Sequence, residues 1–171
     1  MLRLQENLDR LTKQIFNAMV REDEIIVLAE SCTAGLIAAT FARVPGMSRR
    51  LAGSFVTYQV ESKVEWLTIP AQTIQKHDVV SSEIASLMAS QALVKTPHAT
   101  MALSITGHFG PNAPDALDGV AWIAIIRRGR EVATTRLTLE SKPTENSLQR
   151  RLDRQTDAVF QALGHLLGSF P

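Results

Sequence analysis

The stretch Ile25–Ala42 constrains this chain more than any other. An apolar run, Ile25–Ala29, breaks off into Glu30-Ser31-Cys32-Thr33, and a small-residue helical pattern, Ala34–Ala42, follows at once. A short apolar run closed by polar turn residues reads as a buried strand, and the pattern after it as a helix entered through a tight turn. Such a unit belongs to sheets whose faces are covered by helices. It also sets two hydroxyls and a thiol where the first N–H groups of a helix lack backbone partners. That setting suits a nucleophile or a bound anion, and equally an ordinary helix cap. On these residues alone, both readings of Ser31 stand.

The rest of the chain repeats the alternation. Leu4, Leu8, Leu11, Ile15 and Met19 recur at helical spacing, and Pro45-Gly46 ends the Ala34–Ala42 helix. Leu51–Tyr58 reads as a strand, Ser62–Leu67 as a short helix and Gln72–His77 as a further helical turn. Ser81-Ser82 caps a helix running to Val94. Thr100–Ile105 is a second buried strand ending in Thr106-Gly107, and Val120–Ile126 and Val132–Leu139 form a hairpin around Arg128-Gly129-Arg130. A last helix is expected to use Leu148, Leu152, Val159, Leu163 and Leu166/Leu167 as its apolar face. The expected fold is α/β, a three-layer α/β/α sandwich in which the late hairpin makes the sheet mixed, with residues 1–171 in one domain.

Composition excludes several function classes. The 18 basic and 17 acidic residues leave a net charge of +1, which gives no support to a nucleic-acid surface. No apolar run approaches the roughly 20 residues of a membrane-spanning helix, and the charged start MLRLQENLDR does not read as a signal peptide. One cysteine permits no internal disulfide and fits a cytoplasmic location. The four histidines show no metal-ligand spacing, so neither a metal nor a cofactor is expected.

Two strands end in hydroxyl-bearing turns, at Ser31 and at Thr106. In open α/β sheets ligands bind beyond the carboxyl ends of the strands, so parallel strands would bring both to one rim. Gly107 and Gly110 are expected to let backbone approach a ligand there. Tyr58 and Lys63 lie between the two turns in sequence.

The segments AESCTAGLIAATFARVPGMSRRLAGSFVTYQVESKVEWLTIP, VVSSEIASLMASQAL and ALSITGHFGP, in that order, resemble the CinA C-terminal domain family. That family includes nicotinamide mononucleotide deamidases. The resemblance runs from about Ile25 to Trp122 and implies the stand-alone form, without the additional N-terminal domain of larger members. It implies a metal-free serine amidohydrolase that converts nicotinamide mononucleotide to nicotinate mononucleotide and ammonia, in a homodimer. Ser31 falls on the family's serine, Lys63 and Tyr58 on its basic and phenolic positions, Thr106 on its threonine, and Ser48 on the hydroxyl after the Pro-Gly turn. Arg151 falls nearest the arginine that precedes the last helix.

The chemistry can be weighed beside the resemblance. A serine needs a base to take its proton, and Lys63 can serve only when neutral. Moving a lysine from about 10.4 to about 7 takes roughly 4.6 kcal/mol, which burial and the helix start after Ser31 would both supply. Tyr58 would relay the proton or orient the lysine, and N–H groups near Cys32 and Thr33 would hold the oxyanion. Cys32 remains a rival nucleophile. His108 and Phe109 stand where the family has small residues, and NAPDALDG replaces a glycine-rich stretch. Those departures leave two alternatives: another amide as substrate, or a non-catalytic binding or assembly protein. A bulky Phe109 is expected to reshape or partly fill the pocket.

Overall fold

A computed structural model describes residues 2–171, with side chains from Gln5 onward; the side chain of Leu4, placed above on the first apolar stripe, lies outside the described residues. The elements follow in the order α1 (Leu2–Arg21), β1 (Ile26–Glu30), α2 (Leu36–Ala42), β2 (Leu51–Val56), α3 (Val60–Leu67), α4 (Ala71–His77), α5 (Ser82–Lys95), β3 (Met101–Gly107), β4 (Val120–Arg127), β5 (Ala133–Thr138) and α6 (Ser147–Gly168). Five strands form one sheet in the order β2-β1-β3-β4-β5. β1 runs parallel to β2 and β3, and β4 and β5 add on antiparallel. The sheet is mixed and covered on both faces, as the alternation of elements implies.

Period-two alternation divides the core. Ile26 and Leu28 of β1, Leu103 and Ile105 of β3, and Ile123 of β4 face α1, α2 and α6. Val27, Ala29, Ala102 and Ala124 face the other way, toward α3, α4 and α5. That second face is built of small residues, and α5 meets it with Ala85, Ala89 and Ala92, so helix and sheet approach closely. The Ser104 hydroxyl, on the same face, donates to the Ala85 carbonyl at 2.6 Å. Each large side chain sealed in these layers, such as Phe41 or Ile84 at 0% exposure, contributes about 1.5–3 kcal/mol through removal from water.

The connection from β1 to β2 runs through α2 on one face, and the return to β3 runs through α3–α5 on the other. The chain therefore reverses its winding between β1 and β3. Adjacent strands whose connections leave to opposite sides open a crevice at their carboxyl ends. Ser31 and Thr106 both stand there.

Two expectations are corrected. Helix α2 begins at Leu36 rather than Ala34, because Ala34 and Gly35 take left-handed φ values of 51° and 92° and form a turn. Leu148 and Leu152 of α6 are 63% and 47% exposed, not core. The first turns of α6 instead press Arg151 and Arg154 against the 109–118 loop, which rotates the leucines to solvent. At the β4–β5 hairpin, Arg127 pairs with Glu24 at 2.9 Å, and Arg128 Nη2 donates to the Leu93, Thr96 and Ala99 carbonyls behind α5.

The loop between β3 and β4 is tied down by Arg154, which donates to both Asp118 carboxylate oxygens at 2.7 and 2.8 Å and to the Phe109 carbonyl. Asp118→Ala would leave the 9% exposed Arg154 without its carboxylate. Because Asp118 itself is partly solvated, the expected loss is about 1–2 kcal/mol, seen as a fall in melting temperature of a few degrees. An unchanged melting temperature would show that the pair does not hold the loop.

Candidate active site

The last residue of β1, Glu30, is 1% exposed, and its carboxylate sits at the start of α2. Oε2 accepts from Thr33 Oγ1 at 2.8 Å, Gly35 N–H at 3.1 Å and Ile37 N–H at 3.0 Å; Oε1 accepts from Ala38 N–H at 3.0 Å and Ser54 Oγ at 3.1 Å. The free N–H groups of α2, expected above to serve Ser31, are thus occupied by Glu30. Ser31 is not a helix cap. Its N–H continues the ladder to the Ile105 carbonyl at 3.0 Å, and its carbonyl accepts from Ala34 N–H.

Lys63 reaches this turn from α3. It lies four residues before Leu67, so both face inward, and its exposure is 1%. Its Nζ is 2.9 Å from Ser31 Oγ and donates to the Thr57 carbonyl at 2.7 Å. Burial pulls the lysine down from 10.5 to about 8, and the facing Cys32 opposes that fall slightly. Burial, not the α2 terminus, is the cause. The shift corresponds to roughly 3 kcal/mol between the two protonation states. A value near 8 lets a share of the molecules hold Lys63 as a neutral amine close to physiological pH. Such an amine donates to Thr57 O and turns its lone pair toward the Ser31 hydroxyl.

Around this pair lies a cavity of about 220 Å³, whose walls include Ser31, Cys32, Lys63, Thr106, His108 and Arg151. The Phe109–Ala113 segment separates it from a second cavity of about 310 Å³ bordered by Arg150, Arg154 and Asp118. A larger groove, about 920 Å³, runs between β5 and the end of α6 and shares no residue with Ser31 or Lys63. No group of three or more metal-ligating side chains occurs among the described residues.

The remaining candidates divide. Thr106 borders the cavity at 1% exposure, but its hydroxyl already donates to the Val79 carbonyl at 2.8 Å. Tyr58 is 52% exposed at the mouth, and its hydroxyl accepts from Arg151 Nη2 at 2.5 Å, so it does not lie between Ser31 and Lys63. The direct contact of serine and lysine makes a relay unnecessary. Arg151 also donates to the Gly110 carbonyl at 2.7 Å, spanning the mouth, and pairs with no carboxylate among the described residues. Ser48 is exposed in a 3-10 turn, Met47–Arg49, that leads into β2. β2 begins beside Ile26, at the opposite end of β1 from Ser31, so Ser48 is not part of this site.

The glycines serve packing. A Cβ on Gly107 would come within 2.6 Å of Ala121 Cβ, and one on Gly110 within 3.2 Å of the Arg154 guanidinium. Phe109 borders both cavities, while its ring is 2% exposed and packed in the core, with the Arg151 guanidinium 5.8 Å from the ring centre. Gln155 was not foreseen; its Nε2 lies 3.5 and 3.3 Å from the Cys32 and Thr33 carbonyls and ties α6 to the turn. The Cys32 and Thr33 N–H groups donate to no other residue's oxygen among the described residues.

Cys32 is a poor rival nucleophile. It is 4% exposed, and burial pushes its thiol up to about 12. Native protein at pH 8 is expected to react with a thiol reagent to less than about 5% of the extent seen after denaturation. Rapid native labelling would restore Cys32 as a candidate.

The family model of the CinA C-terminal domain matches residues 8–166. The chain belongs to the CinA C-terminal domain family. Among curated relatives, a putative competence-damage inducible protein of Streptococcus pyogenes serotype M1 is 41% identical over 102 residues, 60% of this chain and 24% of that protein. A protein of the same description from Lacticaseibacillus casei is 37% identical over 121 residues, 70% of this chain and 29% of its own length. The chain thus spans under a third of the curated relatives it matches. Solved CinA-type structures cover it almost fully. The competence damage-inducible protein A of Klebsiella pneumoniae superposes with a TM-score of 0.85 at 25% identity, over 95% of this chain and 96% of that one. Protein CihA of Agrobacterium tumefaciens gives 0.83 at 26%, over 95% and 94%. Among the described residues of this CinA-family chain, no helix is long and apolar enough to cross a membrane.

Proposed function

We propose that this CinA-family chain is a serine amidohydrolase that converts nicotinamide mononucleotide to nicotinate mononucleotide and ammonia. The observation that carries the reading is the buried contact, 2.9 Å, between Ser31 Oγ and a lysine amine that burial lowers to about 8. A lysine buried without a carboxylate partner costs stability, and such a cost is ordinarily retained for chemistry.

Neutral Lys63 Nζ takes the proton of Ser31 Oγ as the oxygen bonds to the carboxamide carbon. The carbonyl electron pair moves to oxygen, and the N–H groups of Cys32 and Thr33, in the turn that follows the nucleophile, receive that oxyanion. Collapse breaks the C–N bond while the Lys63 ammonium returns its proton to the leaving nitrogen, releasing ammonia and an ester on Ser31. Water, losing a proton to Lys63, then attacks the ester. The ester C–O bond breaks, Ser31 regains its proton, and the carboxylate leaves.

Arg151 supports an anionic substrate. Its guanidinium meets two neutral oxygens, of Tyr58 and Gly110, which a phosphate would displace with gain of a charge-assisted pair. Turnover of the mononucleotide is therefore expected to exceed that of nicotinamide riboside and free nicotinamide by at least tenfold in kcat/KM. Ammonia release from each, measured side by side, decides the substrate. Equal turnover of all three would indicate a different amide as the natural substrate.

A further inference from the structure

We propose that Glu30 is the positioning residue of the nucleophile turn, an inference that rests on Ser31 being the nucleophile. Five donors converge on this one buried carboxylate, and no cation among the described residues contacts it. Three of them come from the turn or from its junction with α2: Thr33 Oγ1, Gly35 N–H and Ile37 N–H. The fourth is Ala38 N–H, one residue further into α2, and the fifth, Ser54 Oγ, anchors the group to β2.

The turn needs such a hold. Ala34 and Gly35 are consecutive left-handed residues, and for alanine that conformation is uncommon and costs energy. Without the carboxylate, the N–H groups of Gly35, Ile37 and Ala38 would be unpaired at a helix start, and the chain could extend α2 backward through Ala34 and Ser31. A helix continued in that way would turn Ser31 Oγ away from Lys63 and pair the Cys32 and Thr33 N–H groups with other acceptors. Glu30 thus acts through Ser31: it holds the conformation in which the hydroxyl meets the lysine and two N–H groups stay available. It makes no contact with Lys63 and does not border the cavity.

The test is the rate at which a fluorophosphonate labels Ser31, followed by intact mass and peptide mapping on the full chain, beside ammonia release from nicotinamide mononucleotide. Glu30→Gln keeps the shape but faces the converging donors with an amide nitrogen. It is expected to slow labelling at least fiftyfold and to lower kcat similarly, with KM within threefold. The pH midpoint of labelling is expected to stay near 8, because Lys63 remains buried. Thr33→Val, which removes one donor and keeps the carboxylate, is expected to slow labelling about fivefold, and it carries the test if Glu30→Gln does not fold. Thr40→Val is the control: it removes the Thr40–Leu36 hydrogen bond within α2, away from Glu30, and is expected to change labelling less than twofold. Labelling of Glu30→Gln or Thr33→Val at the wild-type rate overturns the inference while leaving the nucleophile in place. Absence of labelling and of ammonia release in the wild type overturns the nucleophile reading, and this inference with it. Equal slowing in Thr40→Val also overturns it, since any weakening of α2 would then suffice.

Discussion

Lys63→Met is expected to lower kcat for amide hydrolysis by about a thousandfold, within the range that a positioned base supplies. In the wild type, kcat/KM should rise with pH through a midpoint near 8, where the buried amine loses its proton. The variant should lose that limb and retain only a slow, flat residual rate. The same substitution tests the lysine thermodynamically. The folded chain releases the Lys63 proton near 8 and the unfolded chain near 10.5. Below 8 both states carry the proton, and the folded state bears the whole burial cost. Between 8 and 10.5 the unfolded state binds more protons, so wild-type stability rises with pH. Relative to Lys63→Met, the wild type should therefore gain roughly 3 kcal/mol across that window. Parallel denaturant unfolding at pH 7 and pH 10.5 measures the change. A gap that does not move with pH would mean that Lys63 is an ordinary charged lysine.

Ser31→Ala is expected to abolish turnover, by about ten-thousand-fold or more, because it removes the atom to which the acyl group is transferred. Folding should be nearly unaffected, since among the described residues the only side-chain hydrogen-bond partner of Ser31 Oγ is Lys63. KM for any residual reaction, or Kd for the mononucleotide, should stay within a few-fold of wild type. Activity above about 1% in the alanine variant, on protein free of wild-type carry-over, would rule out the serine ester.

Much of the fold was legible because β1 and β3 are buried on both faces and read as continuous apolar runs, while Pro45-Gly46 and the Arg128-Gly129-Arg130 turn punctuate what lies between. What periodicity missed was direction at the ends of elements. Leu148 and Leu152 share the stripe of Val159 and Leu163, yet the first turns of α6 lie on a loop and not on the sheet. The helix after Ser31 begins two residues later than the sequence pattern implies, because nothing local distinguishes a helical Ala34-Gly35 from a left-handed one. The decisive signal was Glu30, a carboxylate closing a fully apolar strand. A charge in that place has to be neutralised by donors, and the nearest unpaired donors are the N–H groups of the helix that follows. The meeting of Ser31 and Lys63 could not be read from spacing. It depends on α3 turning Lys63 inward beside Leu67, a packing result that a separation of 32 positions does not encode locally. Ser48 shows the converse: it lies closer to Ser31 in sequence than Lys63 does, but β2 starts at the far end of the sheet.

The central claim is tested most directly by ammonia release from nicotinamide mononucleotide, using purified wild-type protein with and without a strong chelator and Ser31→Ala beside it. The account predicts equimolar ammonia and nicotinate mononucleotide from the wild type, the same rate with the chelator, and none above background from the variant. Release lost on chelation, or undiminished in Ser31→Ala, would contradict a lysine-activated serine as the source of the chemistry.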